Sequence, residues 1–248
     1  MPLRGGRFVR GRLVGVIPAR HGSRRIPMKN LALLVDKPLL SYSIEAAIES
    51  AVCDLIIVST DSADIGEHAA RYGVRVLERP AELAQDTAST ESVLLHVLNE
   101  CGRAGEIWEY VLTLPPTSPL RSAATIREFV EYWWTVFDRF DAMISVTEDR
   151  GDHWQRAADG SLVRLFPDAP RRQQDRQPLY EENSAIYITK AAALRATGSI
   201  LGGAVTGWVM DRSEAVDIND SVDLAIADCF LRLRDLGARG AAAQGMDS

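Results

Sequence analysis

Between Val14 and Asn30 the chain reads VGVIPARHGSRRIPMKN. A short apolar run breaks there into a segment carrying Arg20, Arg24, Arg25 and Lys29, with Gly22, Ser23 and Pro27 among them. Guanidinium and ammonium groups, joined by backbone N–H groups just after a strand, are the usual equipment for holding phosphate. The chain as a whole is acidic, with 28 Lys and Arg against 34 Asp and Glu and a net charge of -6. That balance argues against a nucleic-acid backbone as partner, so the clustered cations serve something local and small. Neither GxxxxGK[ST] nor GxGxxG occurs. A solvated basic loop and a shaped anion cradle both fit these residue types; Gly22-Ser23, Pro27 and Lys29-Asn30 favour the cradle.

Other chemistries find less support. His21, His68, His96 and His153 form no HxH or HExxH spacing, and no GxSxG elbow is present, which removes zinc and serine-hydrolase readings. Cys53, Cys101 and Cys229 lie far apart without a CxxC pair, as expected in a reducing cytoplasm. No run approaches the roughly 18 apolar residues of a membrane span, and the basic opening MPLRGGRFVRGR lacks a signal peptide's apolar stretch. Residues 1–12 are expected to be a flexible lead-in.

The elements that must position the cations follow from hydrophobic period. Apolar runs at 13–19, 54–60, 74–78, 110–114, 142–146, 184–189 and 214–218 read as strands. Amphipathic stretches at 39–51, 62–72, 90–101, 122–137 and 221–236 read as helices. The alternation predicts a single α/β domain over 13–236, Rossmann-like, with a mostly parallel sheet and helices on both faces. Ligands in such sheets sit beyond the carboxyl ends of the strands, where Arg20 to Lys29 falls. Residues 147–182, polar and rich in arginine, read as an excursion with a hairpin turning at Asp159-Gly160. Residues 237–248 read as a frayed tail.

Five blocks in order give the chain a resemblance. They are ARHGSRRIPMKN (19–30), RPAELAQDTAST (79–90), PTSPLR (116–121), ENSAIYI (182–188) and VDINDSVDLAIAD (216–228). From about Leu13 to Leu233 the chain resembles the acylneuraminate cytidylyltransferases, the synthetases of CMP-sialic acid and related CMP-nonulosonates. The resemblance implies a nucleotide-diphospho-sugar transferase fold and transfer of CMP from CTP to the anomeric hydroxyl of a nonulosonic acid, whether sialic, legionaminic or pseudaminic. It places the triphosphate on the opening loop, Ala19, Arg20, Ser23, Arg24 and Lys29. It sets Asn30, Arg79, Ala88 and Thr90 around the nucleotide, with Asp86 ordering the loop. Asp217 and Asn219 would hold Mg²⁺ or Mn²⁺, and Arg20, Lys29 and Asp217 would be catalytic. Arg156, Arg172, Asn183 and Tyr187 would meet the acceptor sugar, and 147–182 would be a dimer arm completing a neighbour's pocket.

Six positions depart from the family pattern: Arg25 and Ser184 replace Gly, Pro115 replaces Gln, Asn219 replaces Asp, Arg24 stands for the usual Lys with its charge kept, and Gln173 stands where an Arg is usual, with Arg172 beside it. Losing one carboxylate at Asn219 weakens the expected metal site, with Asp220 or Asp223 as possible compensation. Pro115 removes a side-chain contact to the sugar and moves the expected acceptor away from ordinary N-acetylneuraminate. The competing readings are a 3-deoxy-manno-octulosonate cytidylyltransferase and a weakly catalytic CTP-binding homologue.

Overall fold

Leu13, Val14, Val16 and Ile17 are each no more than 1% exposed, so the first apolar run is covered on both faces and belongs at the centre of a sheet. The computed structural model describes residues 11–23 and 25–244, with 235–244 by backbone alone. Arg24, residues 245–248 and all of the expected lead-in except Gly11 and Arg12 lie outside the described residues.

The elements run in the order β1 (Leu13–Pro18), β2 (Leu33–Leu34), β3 (Lys37–Pro38), α1 (Leu39–Ser50), β4 (Leu55–Thr60), α2 (Ala63–Ala70) and β5 (Arg75–Glu78). There follow α3 (Thr90–Arg103), β6 (Tyr110–Thr113), α4 (Ala123–Val136), β7 (Ala142–Asp149), β8 (Trp154–Arg156) and β9 (Leu162–Arg164). The chain closes with β10 (Leu179–Lys190), α5 (Ala191–Thr197), β11 (Val205–Val209) and α6 (Ser221–Gln244). Seven strands form one sheet in the order β11-β7-β10-β6-β1-β4-β5. Strand β1 pairs parallel with both β4 and β6, and β4 pairs parallel with β5.

The two faces separate by the period-2 alternation of a strand. Leu13 and Ile17 pack with Leu40 and Ile44 of α1, Ile65 of α2, and Phe129 and Trp133 of α4. Val14 and Val16 turn the other way, onto Leu94 and Val97 of α3 and Leu194 of α5. Gly15 allows α1's following loop to approach: a Cβ there would stand 2.8 Å from the Cys53 sulfur. A third cluster, Leu34, Leu39, Leu120, Ile218 and Ala227, seats α6 beside the β2–β3 hairpin. Three helices start on serines whose hydroxyls accept backbone N–H groups, Ser62 from Ile65, Ser89 from Ser92 and Ser122 from Thr125, which sets their first turns.

The last third differs from the reading of the sequence. Strand β10 is antiparallel to both β6 and β7, and it begins at Leu179 rather than Ser184. Residues 147–149 and 179–182 therefore belong to the sheet, and the excursion is shorter than 147–182. Its hairpin forms as expected, β8 against β9, with Gly160 at φ 86 in the turn. Residues 214–218 are not a strand; Ile218 is buried and its N–H donates to the Thr117 carbonyl at 2.8 Å. The remaining strand is β11, an edge strand parallel to β7, whose alternating exposure gives no continuous apolar run. Helix α6 runs past Leu236 to Gln244, through Gly237 and Gly240 into a run of three alanines.

Phe129, fully buried and edge-on to Trp208 at 5.7 Å between centroids, ties α4 to the β11 edge. Phe129→Ala is expected to lower the unfolding free energy by about 3–5 kcal/mol, as deletion of a buried aromatic does. Equilibrium urea denaturation with an unchanged m-value reads it.

Candidate active site

The carboxyl ends of β1, β5 and β6 open onto a cleft of about 220 Å³. Pro18, Arg20, Gly22, Ser23, Lys29 and Asn30 line it from the opening loop. Arg79, Ala88, Ser89, Thr90 and Val93 line it from the segment between β5 and α3, and Pro115, Pro116 and Thr117 from the turn after β6. Arg20, Ser23, Lys29, Asn30, Arg79, Ala88 and Thr90 are thus brought together, while Ala19 is buried behind the loop.

Local bonds shape this rim. The buried Asn30 amide donates to the Arg20 carbonyl at 2.8 Å, folding the loop back on itself. Met28 takes a left-handed conformation, φ 51, which turns the chain into a short 3-10 turn at Lys29–Leu31. The His21 N–H donates to Asp61 at 2.8 Å. The Arg20 guanidinium pairs with Asp86, a contact between the opening loop and the 79–90 segment.

Lys29 is half-buried, and its Nζ donates to the Ile218 carbonyl at 2.8 Å. Burial pushes its ammonium below the ordinary lysine value; Arg20 and Arg25 push the same way, and Asp217 opposes them. Arg79 is 5% exposed and donates to the Ser59 carbonyl at 2.8 Å and hydroxyl at 3.3 Å. Burial lowers it to about 10, with Arg20 adding to the effect, so it remains a cation at neutral pH.

Asp217 and Asn219 are not among the residues lining the cleft; Ile218 between them is tied to it by two bonds, from Lys29 Nζ to the Ile218 carbonyl and from the Ile218 N–H to the carbonyl of the cleft residue Thr117. The Asn219 side-chain amide donates to Asp217 at 2.8 Å. Asp223 accepts the N–H groups of Asn219 and Asp220, and Asp220 accepts those of Val222 and Asp223. One oxygen of each of these carboxylates is thereby occupied in opening α6. Among the described residues no cluster of three or more His, Cys, Asp or Glu could hold a metal. One carboxylate and one amide oxygen fit a hard cation that takes its other ligands from phosphate and water.

Asn183 and Tyr187 are not among the residues lining the cleft and stand on a separate wall formed by β10; the Asn183 amide oxygen accepts from the Ser145 hydroxyl at 2.6 Å and the Ala185 N–H at 3.2 Å. Its Nδ2 is buried and without a partner among the described residues. Tyr187, 8% exposed, donates to Glu182 at 2.6 Å; burial first and Glu182 second raise its hydroxyl above the ordinary tyrosine value. Asp217 acts on the same hydroxyl, which relates this wall to the 217–219 segment. Arg156 and Arg172 line no part of the cleft: Arg156 donates to the Gly160 carbonyl at 3.1 Å within its hairpin, and Arg172 is exposed before a 3-10 turn at Gln173–Asp175. Arg164, Arg171 and Arg176 converge on Asp152 at 2.7, 3.4 and 3.3 Å and hold the arm together.

The sequence pattern of the cytidylyltransferases matches residues 14–153. The chain belongs to the cytidylyltransferase family. It is 33% identical over 222 residues to the N-acylneuraminate cytidylyltransferase of Escherichia coli, covering 88% of this chain and 52% of that protein. It is 34% identical over 229 residues to a CMP-N,N'-diacetyllegionaminic acid synthase of Legionella pneumophila, covering 90% of this chain and 97% of that protein. The chain thus spans about half the length of the first relative and nearly all of the second. Its fold is shared with a CMP:2-keto-3-deoxy-manno-octonic acid synthetase solved with CTP, at a TM-score of 0.62, 15% identity and coverage of 92% and 99% of the two chains.

One residue beside this candidate site belongs to a quoted motif without a role assigned to it from the sequence. Arg121, the last residue of PTSPLR, is buried and donates to the carbonyl of Pro115, which lines the cleft, and to that of Ala185 on β10. Its signal in the sequence is a cation closing an otherwise uncharged turn. For the rim, Lys29→Ala is expected to weaken pyrophosphate binding by about 10- to 100-fold, the worth of a charge-assisted hydrogen bond. In the wild type, affinity should fall with rising pH below the ordinary lysine value of 10.5, because the neutral amine no longer attracts the anion. Calorimetric titration across alkaline pH measures both, and Lys29→Arg should move the fall upward.

Proposed function

We propose that this chain transfers CMP from CTP to the anomeric hydroxyl of a nonulosonic acid. The hydroxyl oxygen bonds to the α-phosphorus, the bond from that phosphorus to pyrophosphate breaks, and the hydroxyl proton is released. The observation that carries this reading is a cleft in which Arg20, Lys29 and Arg79 converge beyond the parallel strands, with Asp217 held beside Lys29. Fixed cations there are suited to holding a triphosphate and to stabilising charge that grows on its oxygens. The Ala88–Thr90 segment offers backbone groups and short hydroxyls to the edge of a cytosine. Asp217 and Asn219 would hold Mg²⁺ or Mn²⁺, which supplies further positive charge to the phosphates when bound.

The acceptor class rests on relatives named for sialic and legionaminic acids. Tyr187 and Asn183 are the wall we assign to the sugar, and Pro115 gives it no side-chain hydrogen bond. Arg156 and Arg172 stand on the arm, away from their own chain's cleft, and we assign them to the acceptor carboxylate of a second copy. A homodimer is further supported by apolar side chains displayed on that arm, Trp154 at 49% exposure together with Leu162, Val163, Leu165 and Phe166. Three free cysteines and a CTP substrate suit the cytoplasm. No described helix is long and apolar enough to cross a membrane, and we assign no nucleic-acid partner.

Pyrophosphate release tests the reading, with CTP, ATP, GTP and UTP each offered with Mg²⁺ to a panel of nine-carbon and eight-carbon keto-acid sugars. Release with CTP and a nine-carbon acid is expected; release with the octulosonic acid alone, or silence despite CTP binding, would contradict it. Asn219→Asp restores a second carboxylate and should lower the half-saturating Mg²⁺ concentration by about tenfold, since affinity follows ligand charge.

A further inference from the structure

Arg121 is 2% exposed, and among the described residues no carboxylate lies within salt-bridge distance of it. Its Nη1 donates to the Ala185 carbonyl and, at 3.4 Å, to the Pro115 carbonyl; its Nη2 donates to the Ser43 hydroxyl at 2.9 Å. The Ser43 hydroxyl in turn donates to the Pro115 carbonyl at 3.4 Å, and Nε has no partner. Glu214, the carboxylate that acts on Arg121 from a distance, is engaged with Ser122 and Thr125 at the start of α4. Burial lowers the guanidinium to about 9, so it is charged at neutral pH.

A buried cation held only by carbonyls and a hydroxyl is expensive, and apolar residues of similar volume usually stabilise such a position as well or better. Packing therefore does not explain it. What a guanidinium supplies here is a planar group whose Nη1 bridges the Pro115 and Ala185 carbonyls while its Nη2 holds the Ser43 hydroxyl, itself a donor to Pro115. The two carbonyls belong to opposite sides of the candidate site. Pro115 lines the nucleotide cleft, has no N–H, and offers its carbonyl as its polar handle. Ala185 sits in an irregularity of β10, where the register to β7 shifts between Glu182 and Tyr187. Ser184, just before it, holds a left-handed φ of 57, a conformation disfavoured for a residue with a Cβ. The irregularity carries Asn183 and leads directly to Tyr187, which has its own bond to Glu182.

We propose that Arg121 is a positioning residue that locks the acceptor wall, Asn183 to Tyr187, onto the nucleotide turn at Pro115 and so sets the distance between the acceptor hydroxyl and the α-phosphorus. This rests on the proposed reaction. A misplacement of about 1 Å between reacting groups costs on the order of 100-fold in rate, so the guanidinium acts on turnover more than on nucleotide binding.

The test compares wild type with Arg121→Met, Arg121→Lys and the milder Ser43→Ala. Calorimetry with CTP, steady-state pyrophosphate release and hydrogen exchange of the 183–187 amides are measured on each. In Arg121→Met, CTP affinity should stay within about threefold of wild type while kcat falls on the order of 100-fold. Arg121→Lys should recover part of that loss, and Ser43→Ala should lower kcat several-fold. The 183–187 amides should exchange faster in Arg121→Met, with the β1 amides unchanged. Unchanged exchange at 183–187 overturns the proposal whether or not an acceptor has been found. Parallel loss of CTP affinity and kcat in Ser43→Ala and Arg121→Lys also overturns it, leaving a general structural role. A wild type that binds CTP and turns over no acid would instead count against the reaction.

Discussion

The site depends on cations kept largely out of water without being neutralised. Lys29 donates to the carbonyl of Ile218, Arg79 to the carbonyl and hydroxyl of Ser59, and Arg121 to the carbonyls of Pro115 and Ala185. Carbonyl and hydroxyl oxygens satisfy the N–H donors but carry no formal charge, so the positive field of the cleft survives for an anion. Partial burial then strengthens each interaction with that anion, because less water screens it. The cost shows in the downward push on Lys29 and Arg79, to which neighbouring Arg20 contributes in both cases. Among the described residues, Arg20 alone of the cations lining the cleft pairs with a carboxylate, Asp86, and does so at an exposed rim where the pairing is weak and exchangeable.

The fold makes this arrangement possible by bringing distant segments to one edge. Strand β1 ends at Pro18, β5 at Glu78 and β6 at Thr113, and the loop after each delivers its cleft residues. The 217–219 segment comes from far along the chain and is fixed by Thr117 and Lys29 rather than by a ladder. Such a tether fixes Ile218, between Asp217 and Asn219, to two cleft residues without a strand ladder. Asp220 and Asp223 close the start of α6 and hold the segment from the other side.

Much of this was legible in residue pattern. The buried strands β1, β4 and β6 read as apolar runs because both of their faces are covered, and α3 and α4 read from their apolar stripes. The opening loop was legible because cations and turn residues crowd a short stretch of an acidic chain. The edge strand β11 was not, since half of its positions face outward and a glycine interrupts it. Residues 214–218 looked like a strand for a local reason, an apolar alternation, whereas their fate is decided by a partner about a hundred residues earlier in sequence. Arg121 escaped notice for the same reason: its acceptors lie on the turn after β6 and on β10, and no spacing rule connects them. Arg156 and Arg172 were legible as basic residues of an arm, but not as residues held away from their own chain's cleft.

The central claim is that this cleft holds the triphosphate of CTP, and a crystal structure with CTP bound tests it most directly. The account predicts phosphate oxygens on Arg20 and Lys29, the cytosine against Ala88–Thr90, and the α-phosphate facing Asp217. A nucleotide seated elsewhere, or one whose triphosphate points away from Lys29 into solvent, would contradict it.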